Sequence, residues 1–321
     1  MISYHNPPVK RAVAVAEVVS NGQICHEHYV LTLRMDWFPP SRPGQFVQFQ
    51  CRGLEEQTSG REVKWRAGQW PQATQAELAN REPLLRRPLS IAGRRETTSG
   101  RVEMELIYRT LGAGTNWLAG VKSGAMLSVL GPLGNGFVIR QGKPMAVMVG
   151  GGVGIPPMLY LARALSEAGK VSVAFCGARS GNVLPLTLIE GRDPAADGRP
   201  TPCVREFLSA CADTVVATDD GTVGYRGLVS EAFKAWLRTR DFAPIDLTVY
   251  CCGPEPMERA VADICLMRDI ECQLALERHM ACGVGTCQSC VVKVRADNEA
   301  GWAFRLCCAD GPVFDAREVL W

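Results

Sequence analysis

Met145-Ala146-Val147-Met148-Val149-Gly150-Gly151-Gly152-Val153-Gly154-Ile155-Pro156-Pro157 reads as a buried strand that runs into a glycine turn and opens a helix. Five apolar residues without alternation suit a strand covered on both faces. The glycines allow a tight turn, and the prolines are tolerated in a first helical turn. Free N–H groups at such a helix start suit a dinucleotide pyrophosphate. The pattern is G-x-G-x-G-x-x-P on Gly150, Gly152, Gly154 and Pro157, which departs from the G-x-G-x-x-G fingerprint. A purely structural glycine turn is the competing reading.

Downstream, the patterns predict a helix over 157–168, strands over 171–175 and 214–217, a helix over 229–237, a strand over 247–251 and a helix over 255–267. Alternating β and α elements imply a parallel sheet with helices on both faces. Residues 143–270 are therefore expected to form an α/β nucleotide-binding domain. Cys252-Gly253-Pro254 ends its last strand, at the carboxyl edge where nucleotides sit in open α/β sheets. For Cys252, a polarizable thiol beside a nicotinamide ring competes with a plain buried cysteine. Arg179, after the second strand, can meet a 2′-phosphate or be one more surface arginine.

Upstream, short β-rich runs at 12–19, 29–33, 45–49, 101–108, 126–129 and 137–139 are broken by Asn21-Gly22 and by the prolines around Pro39. This predicts a small antiparallel barrel within residues 1–142. Residues 53–82 interrupt it as a polar insertion carrying Trp65 and Trp70, with one short helical pattern at 75–80. A solvated loop is preferred over a cap on the site. Arg87-Pro88-Leu89-Ser90 follows. Its guanidinium can take a pyrophosphate bidentately, and its hydroxyl can reach a flavin ring nitrogen. Alone, R-P-x-S reads as a turn. It gains weight from Ile107-Tyr108-Arg109 and from Gly112-Ala113-Gly114-Thr115, an aromatic and a glycine-rich phosphate cradle on the same barrel.

The C-terminal stretch Cys282-Gly283-Val284-Gly285-Thr286-Cys287-Gln288-Ser289-Cys290 is C-x4-C-x2-C, the spacing of plant-type [2Fe-2S] loops. Gly283 and Gly285 let backbone N–H groups turn toward sulfur. Structural zinc is the competing reading, but zinc favours paired C-x2-C knuckles. A fourth ligand must come from Cys307 or Cys308, which spacing does not separate. Five of the chain's 14 cysteines fall between Cys282 and Cys308, and that density calls for a metal rather than a disulfide framework. Residues 271–321 are read as a small, separately organised [2Fe-2S] domain.

Composition bounds the rest. The chain has 321 residues, 47% hydrophobic and 21% charged, with a net charge of +2, so a polyanionic partner such as nucleic acid has no support. The polar, proline-bearing first ten residues do not resemble a signal peptide. No apolar run approaches the roughly 20 residues of a membrane helix. A cytoplasmic location is expected.

Taken together, these residues resemble the ferredoxin–NADP reductase superfamily, and within it the electron-transfer subunits of NAD-dependent dihydroorotate dehydrogenase. The resemblance spans nearly the whole chain. It is carried by Pro43 to Val47, Arg86 to Ile91, Gly131 to Phe137, Gly150 to Pro157, Glu277 to Cys290, and Cys308-Ala309-Asp310-Gly311-Pro312-Val313-Phe314. It implies Cys308 as the fourth cluster ligand, because x-Asp-Gly-Pro follows that cysteine, and leaves Cys307 a bystander. It implies FAD contacts at Arg87, Pro88, Leu89, Ser90, Ile107, Tyr108, Arg109, Gly114 and Thr115. Asp219, in Thr218-Asp219-Asp220-Gly221, would join the NAD side, with NADH preferred over NADPH.

The implied activity is an electron relay between NAD(H), FAD and the cluster. The relay would couple dihydroorotate oxidation on an FMN-containing catalytic subunit to NAD reduction in pyrimidine biosynthesis, in a heterotetramer of two of each chain. Hydride transfer needs no acid–base residue, so His279 is read as a surface group. The competing enzyme reading is an NAD(P)H:ferredoxin oxidoreductase or sulfide dehydrogenase-type subunit. The non-enzyme reading is a redox-sensing or zinc-stabilised binding protein. The 53–82 insertion and the extra cysteines depart from the family pattern.

Overall fold

The computed structural model describes residues 10–54, 68, 85–240 and 243–321. The helical pattern at 75–80, Trp65 and Trp70 lie outside the described residues.

Six antiparallel strands close the N-terminal barrel: β1 (Ala12–Cys25), β2 (His28–Met35), β3 (Phe46–Phe49), β4 (Arg87–Glu96), β5 (Val102–Arg109) and β6 (Met126–Leu133), in the order β1-β2-β5-β4-β3-β6. Inward residues such as Val18, Leu33, Val47, Phe49, Met104 and Leu127 fill it. Burial of each contributes roughly 1.5–3 kcal/mol against leaving it exposed.

Two expectations change here. Asn21-Gly22 does not break β1. Asn21 Nδ2 donates to the carbonyls of Leu118 (2.8 Å) and Val121 (3.0 Å), and its Oδ1 accepts from the Tyr108 hydroxyl (2.9 Å). The side chain is spent on tertiary bonds, and the chain turns instead at Glu27, where φ is 62°. Residues 137–139 form no strand, and the Gln273 side chain takes up the backbone bonds of Val138 in place of a neighbouring strand. Its Oε1 accepts from Val138 N and its Nε2 donates to Val138 O, both at 2.9 Å.

A short helix, α1 (Ala113–Ala119), lies between β5 and β6. Beyond the barrel come β7 (Met145–Gly151), α2 (Ile155–Glu167), β8 (Val171–Ala178), α3 (Arg205–Leu208), β9 (Asp213–Thr218), β10 (Tyr225–Arg226), α4 (Val229–Arg238), β11 (Leu247–Cys252), α5 (Glu255–Leu266) and β12 (Glu271–Ala275). The sheet order is β10-β9-β8-β7-β11-β12-β15, where β15 is Val313–Asp315. All pairs are parallel except β12 with β15, so the sheet is mixed. Along central β7, Ala146 and Met148 pack with α2, while Val147 and Val149 pack with α4 and α5. That alternation places helices on both faces.

The C-terminal segment, read as separately organised, is woven into this sheet through β12 and β15. Between them lies the cysteine loop and a hairpin of β13 (Val291–Arg295) and β14 (Trp302–Leu306). The barrel also grips this segment. Asn135 Nδ2 donates to the Asp310 and Val313 carbonyls and its Oδ1 accepts from Val313 N, at 2.8–2.9 Å. Among the described residues no helix is long and apolar enough to cross a membrane.

Candidate functional site

The loops after β7, β8, β9 and β11 all emerge at the carboxyl edge of the sheet, which gathers the glycine turn, Arg179, Asp219 and Cys252-Gly253-Pro254 on one rim. Two of those loops touch backbone to backbone. A Cβ on Gly154 would overlap the Cys252 carbonyl and stand 2.6 Å from Gly253 N, and one on Gly253 would stand 3.1 Å from Gly151 N. Gly152 differs: its φ is +54° and nothing lies within 4 Å of its missing Cβ. Its backbone is open to an incoming phosphate, the approach a glycine turn permits.

Against this rim the barrel presents a cavity of about 230 Å³. Its walls come from three parts of the chain: Pro88 to Ser90, Ile107 to Arg109 and Thr115 from the barrel; Val153, Pro157 and Cys252 from the α/β loops; Ala275 to Arg278, Met280 and Pro312 from the C-terminal segment. The volume is below the roughly 300–1,000 Å³ of a whole-ligand pocket. It suits one planar ring system whose tail leaves along the surface. Beside the cavity, Arg87 lies over Gly114, where a Cβ would meet its Nε at 2.7 Å, and its Nη1 donates to Leu85 O at 2.7 Å. Arg109 Nε is held by Glu27 Oε2 at 2.8 Å, a pair that keeps the Glu27 carboxyl below its usual range. Tyr108 turns its ring into the barrel and stacks on Tyr29 with centroids 5.5 Å apart. Neighbouring Ile107 and Arg109 therefore carry the outward face of β5.

One glutamate lines the far wall and a second is buried near it. Glu277 lines the cavity and is exposed there, and the protein packed around its carboxyl raises it above its usual range. Glu258, on α5, is fully buried. Its Oε1 accepts from Gly253 N at 3.3 Å while Oε2 has no partner among the described residues. Burial is the main cause that raises Glu258 well above the ordinary carboxylate range, with Glu277 adding to it. The folded chain thus holds a proton that the unfolded chain releases near pH 4–5. This stabilisation is complete below that range and is lost as pH rises through the folded value. Glu258→Gln, which keeps an acceptor for Gly253 N and cannot ionise, is expected to gain on the wild type progressively as pH rises above about 5, reaching about 1–3 kcal/mol. Melting temperatures of both proteins across that rise in pH measure it, and parallel curves would refute it.

The cysteine loop begins two residues after Met280. Val284 N and Cys287 N point at Cys282 Sγ (3.4 and 3.3 Å), and Cys308 N points at Cys290 Sγ (3.4 Å). Positive φ at Gly283 (68°), Gly285 (92°) and Gln288 (57°) makes these inward N–H groups available. The thiols fall into two pairs, Cys282 with Cys287 and Cys290 with Cys308, each close enough to hydrogen-bond. Among the described residues no three metal-binding side chains converge as a mononuclear site needs. The Ser289 hydroxyl, followed by Cys282, holds Cys287 down to about 6. Burial, and then Cys290, push Cys308 up to about 12, so a cation is needed to ionise it. Two thiol pairs ringed by N–H donors fit a two-iron centre. Cys307 faces away and donates from Sγ to Leu276 O at 3.0 Å.

The cavity thus joins Pro88, Leu89, Ser90, Ile107, Tyr108, Arg109 and Thr115 with Pro157 and Cys252. Arg87, Gly114, Gly150, Gly152, Gly154, Gly253 and Pro254 stand behind or beside it, and Asp219 lies two strands away, beyond β8. Sequence reasoning assigned no role to Gly44, Phe46, Glu277, Arg278 or Pro312. Their only signal was membership of the motifs around Pro43, Glu277 and Cys308.

Residues 277–320 match the family model of the iron-sulfur cluster binding domain of dihydroorotate dehydrogenase B. Over 306 residues the chain is 33% identical to the dihydroorotate dehydrogenase B (NAD(+)) electron transfer subunit of Caldanaerobacter subterraneus subsp. tengcongensis, which covers 95% of this chain and 98% of the relative. It is 36% identical over 239 residues to the same-named subunit of Bacillus velezensis, covering 74% and 81%. In three dimensions it is similar to a chain of NADH-dependent reduced ferredoxin-NADP oxidoreductase, with a TM-score of 0.70 and 25% identity over 97% of this chain and 91% of that one.

Proposed function

Because the chain belongs to the family of dihydroorotate dehydrogenase B (NAD(+)) electron transfer subunits, we propose that it relays electrons between NAD(H) and the FMN of a catalytic dihydroorotate dehydrogenase subunit, through FAD and a [2Fe-2S] cluster. The observation that carries this reading is the single cavity walled at once by barrel motif, nucleotide loops and the segment leading into the cysteine loop. When bound, FAD supplies a carrier that takes electrons in pairs and gives them up singly, and the cluster a one-electron carrier.

The chain's own residues do the rest. Arg87, over Gly114, is placed to clamp a pyrophosphate, and Ser90 offers a hydroxyl to a ring nitrogen inside the cavity. The turn at Gly150, Gly152 and Gly154 takes the nucleotide phosphates, while Cys252, with its neighbours Gly253 and Pro254, closes the cavity on the nicotinamide side. Burial keeps the Cys252 thiol protonated, so it acts as a neutral, polarizable wall. Cys282, Cys287, Cys290 and Cys308 ligate the iron.

The catalytic subunit is expected on the outer face of the β13–β14 hairpin, in an assembly of two of each chain. There Val291, Trp302 and Phe304 are exposed, and Lys293 Nζ stands 4.5 Å from the Trp302 ring centroid. This apolar, cationic patch is continuous with Cys290 and Cys307-Cys308, where a one-electron exit must be covered by its acceptor.

Anaerobic titration of the purified chain with NADH, and separately NADPH, tests the reading. NADH is expected to bleach flavin and cluster bands together, and the FMN subunit with orotate to restore them. Preparations with zinc and no flavin or iron–sulfur absorption would overturn it. The likeness to a ferredoxin-NADP oxidoreductase chain favours one second reading, a ferredoxin reductase, which ferredoxin reduction by the isolated chain would support.

A further inference from the structure

Strand β3 reads Phe46-Val47-Gln48-Phe49. Val47 and Phe49 point into the barrel core, so Phe46 and Gln48 point out of it. An outward position on a barrel normally carries a polar residue because water reaches it. Gln48 instead has no exposure, and neither its Nε2 nor its Oε1 has a hydrogen-bond partner among the described residues. An unmade bond at a buried amide costs roughly 1–3 kcal/mol per group, so two orphaned atoms on one side chain call for a missing partner.

The cover over Gln48 is the cysteine loop. A Cβ on Gly283 would lie 2.5 Å from Gln48 Cδ and 2.7 Å from Oε1. The amide is therefore laid on the one residue, between Cys282 and Val284, that has no side chain to exclude it. On the other side Gln48 pairs with Pro88 of the flavin motif. It stands between the two cofactor sites.

We propose that Gln48 is a positioning residue for the iron–sulfur centre: its Nε2–H donates a hydrogen bond to a sulfur of the cluster held by the 282–290 loop and thereby raises the cluster's reduction potential. Cluster sulfurs only accept, which selects the amide nitrogen over the oxygen as the facing atom. Reduction adds negative charge to those sulfurs, so a donor bonds the reduced form more strongly than the oxidised one. The inference rests on the [2Fe-2S] reading above.

The test uses the full chain with its flavin and cluster, and reads the cluster potential by EPR-monitored redox titration in Gln48→Met and Gln48→Glu. Met keeps the shape and removes the donor, while Glu replaces it with an acceptor. Both are expected to lower the reduced-to-oxidised ratio at a fixed potential by about threefold to tenfold, tenfold being about 59 mV for one electron. An unchanged potential in a variant that keeps its cluster overturns the proposal, since a purely structural amide would alter stability alone. A measurement on native Gln48 covers the case in which both variants lose the cluster. With 15N only in glutamine side-chain amides, the reduced cluster should show a coupled 15N in pulsed EPR that persists in Gln288→Asn, and its absence also overturns the proposal. A chain without any cluster spectrum would instead overturn the functional reading itself.

Discussion

Cys308→Ser is expected to leave the chain without a stable cluster, while Cys307→Ser keeps it. The two cysteines are adjacent and both fully buried, so burial does not distinguish them; direction does. Cys308 has its N–H on Cys290 Sγ at 3.4 Å and its thiol paired with Cys290, which completes the second of two thiol pairs. Cys307 sends its Sγ to the Leu276 carbonyl at 3.0 Å, toward β12 and the cavity wall. A serine hydroxyl donates to that carbonyl equally well, so Cys307→Ser retains the bond. At position 308 serine removes a thiol from the site where soft sulfur ligands are proposed to hold iron. Iron and acid-labile sulfide content should fall at least tenfold in Cys308→Ser and change little in Cys307→Ser, with visible absorption following. The reverse result would move the fourth ligand to Cys307.

The contrast shows how far residue order alone carries. Spacing named the loop and three candidate ligands but could not separate 307 from 308, because adjacent side chains differ only in where the turn after β14 sends them. The same limit hid β4. Arg94, Arg95 and Glu96 give its C-terminal half a charged look, and only the partners β3 and β5 make it a central barrel strand. It also misled at Asn21-Gly22, a turn signal overridden by three tertiary hydrogen bonds. The β/α alternation after residue 144 was legible because those strands are apolar on both faces, a pattern that needs no partner to recognise. The cavity was half legible. Its barrel and nucleotide walls are motifs, but Glu277, Arg278 and Met280 reach it only because β12 joins the sheet beside β11, a pairing no local pattern specifies. Glu258 and Gln48 are the extreme cases. Each looks like an ordinary surface polar residue in sequence, and each is fully buried by elements distant in the chain.

Gly154→Ala is the second large effect, and it separates two reasons for a glycine. Gly154 has φ of −83°, a conformation open to any residue, so backbone freedom is not what requires glycine here. The requirement is space: a single methyl would overlap the Cys252 carbonyl and come within 2.6 Å of Gly253 N. Both are backbone atoms at the end of β11, a strand fixed on both sides by β7 and β12, so the neighbour cannot swing aside as a flexible side chain would. Overpacking of a rigid site costs about 1–3 kcal/mol or more, here by separating the two loops proposed to frame the nucleotide. Gly152→Ala is the control. Its φ of +54° imposes strain of about 1–2 kcal/mol, but its Cβ meets nothing within 4 Å, so the loops stay together. Gly154→Ala should therefore lower the melting temperature and weaken NADH binding by more than tenfold, about 1.4 kcal/mol, with flavin content falling less, because Cys252 is one wall of that cavity and the barrel side is untouched. Gly152→Ala should retain the loop packing and lose affinity only where the methyl meets the phosphates. Wild-type NADH binding in Gly154→Ala would mean that the β7 and β11 loops can part without cost, and the rim would then not be the nucleotide site.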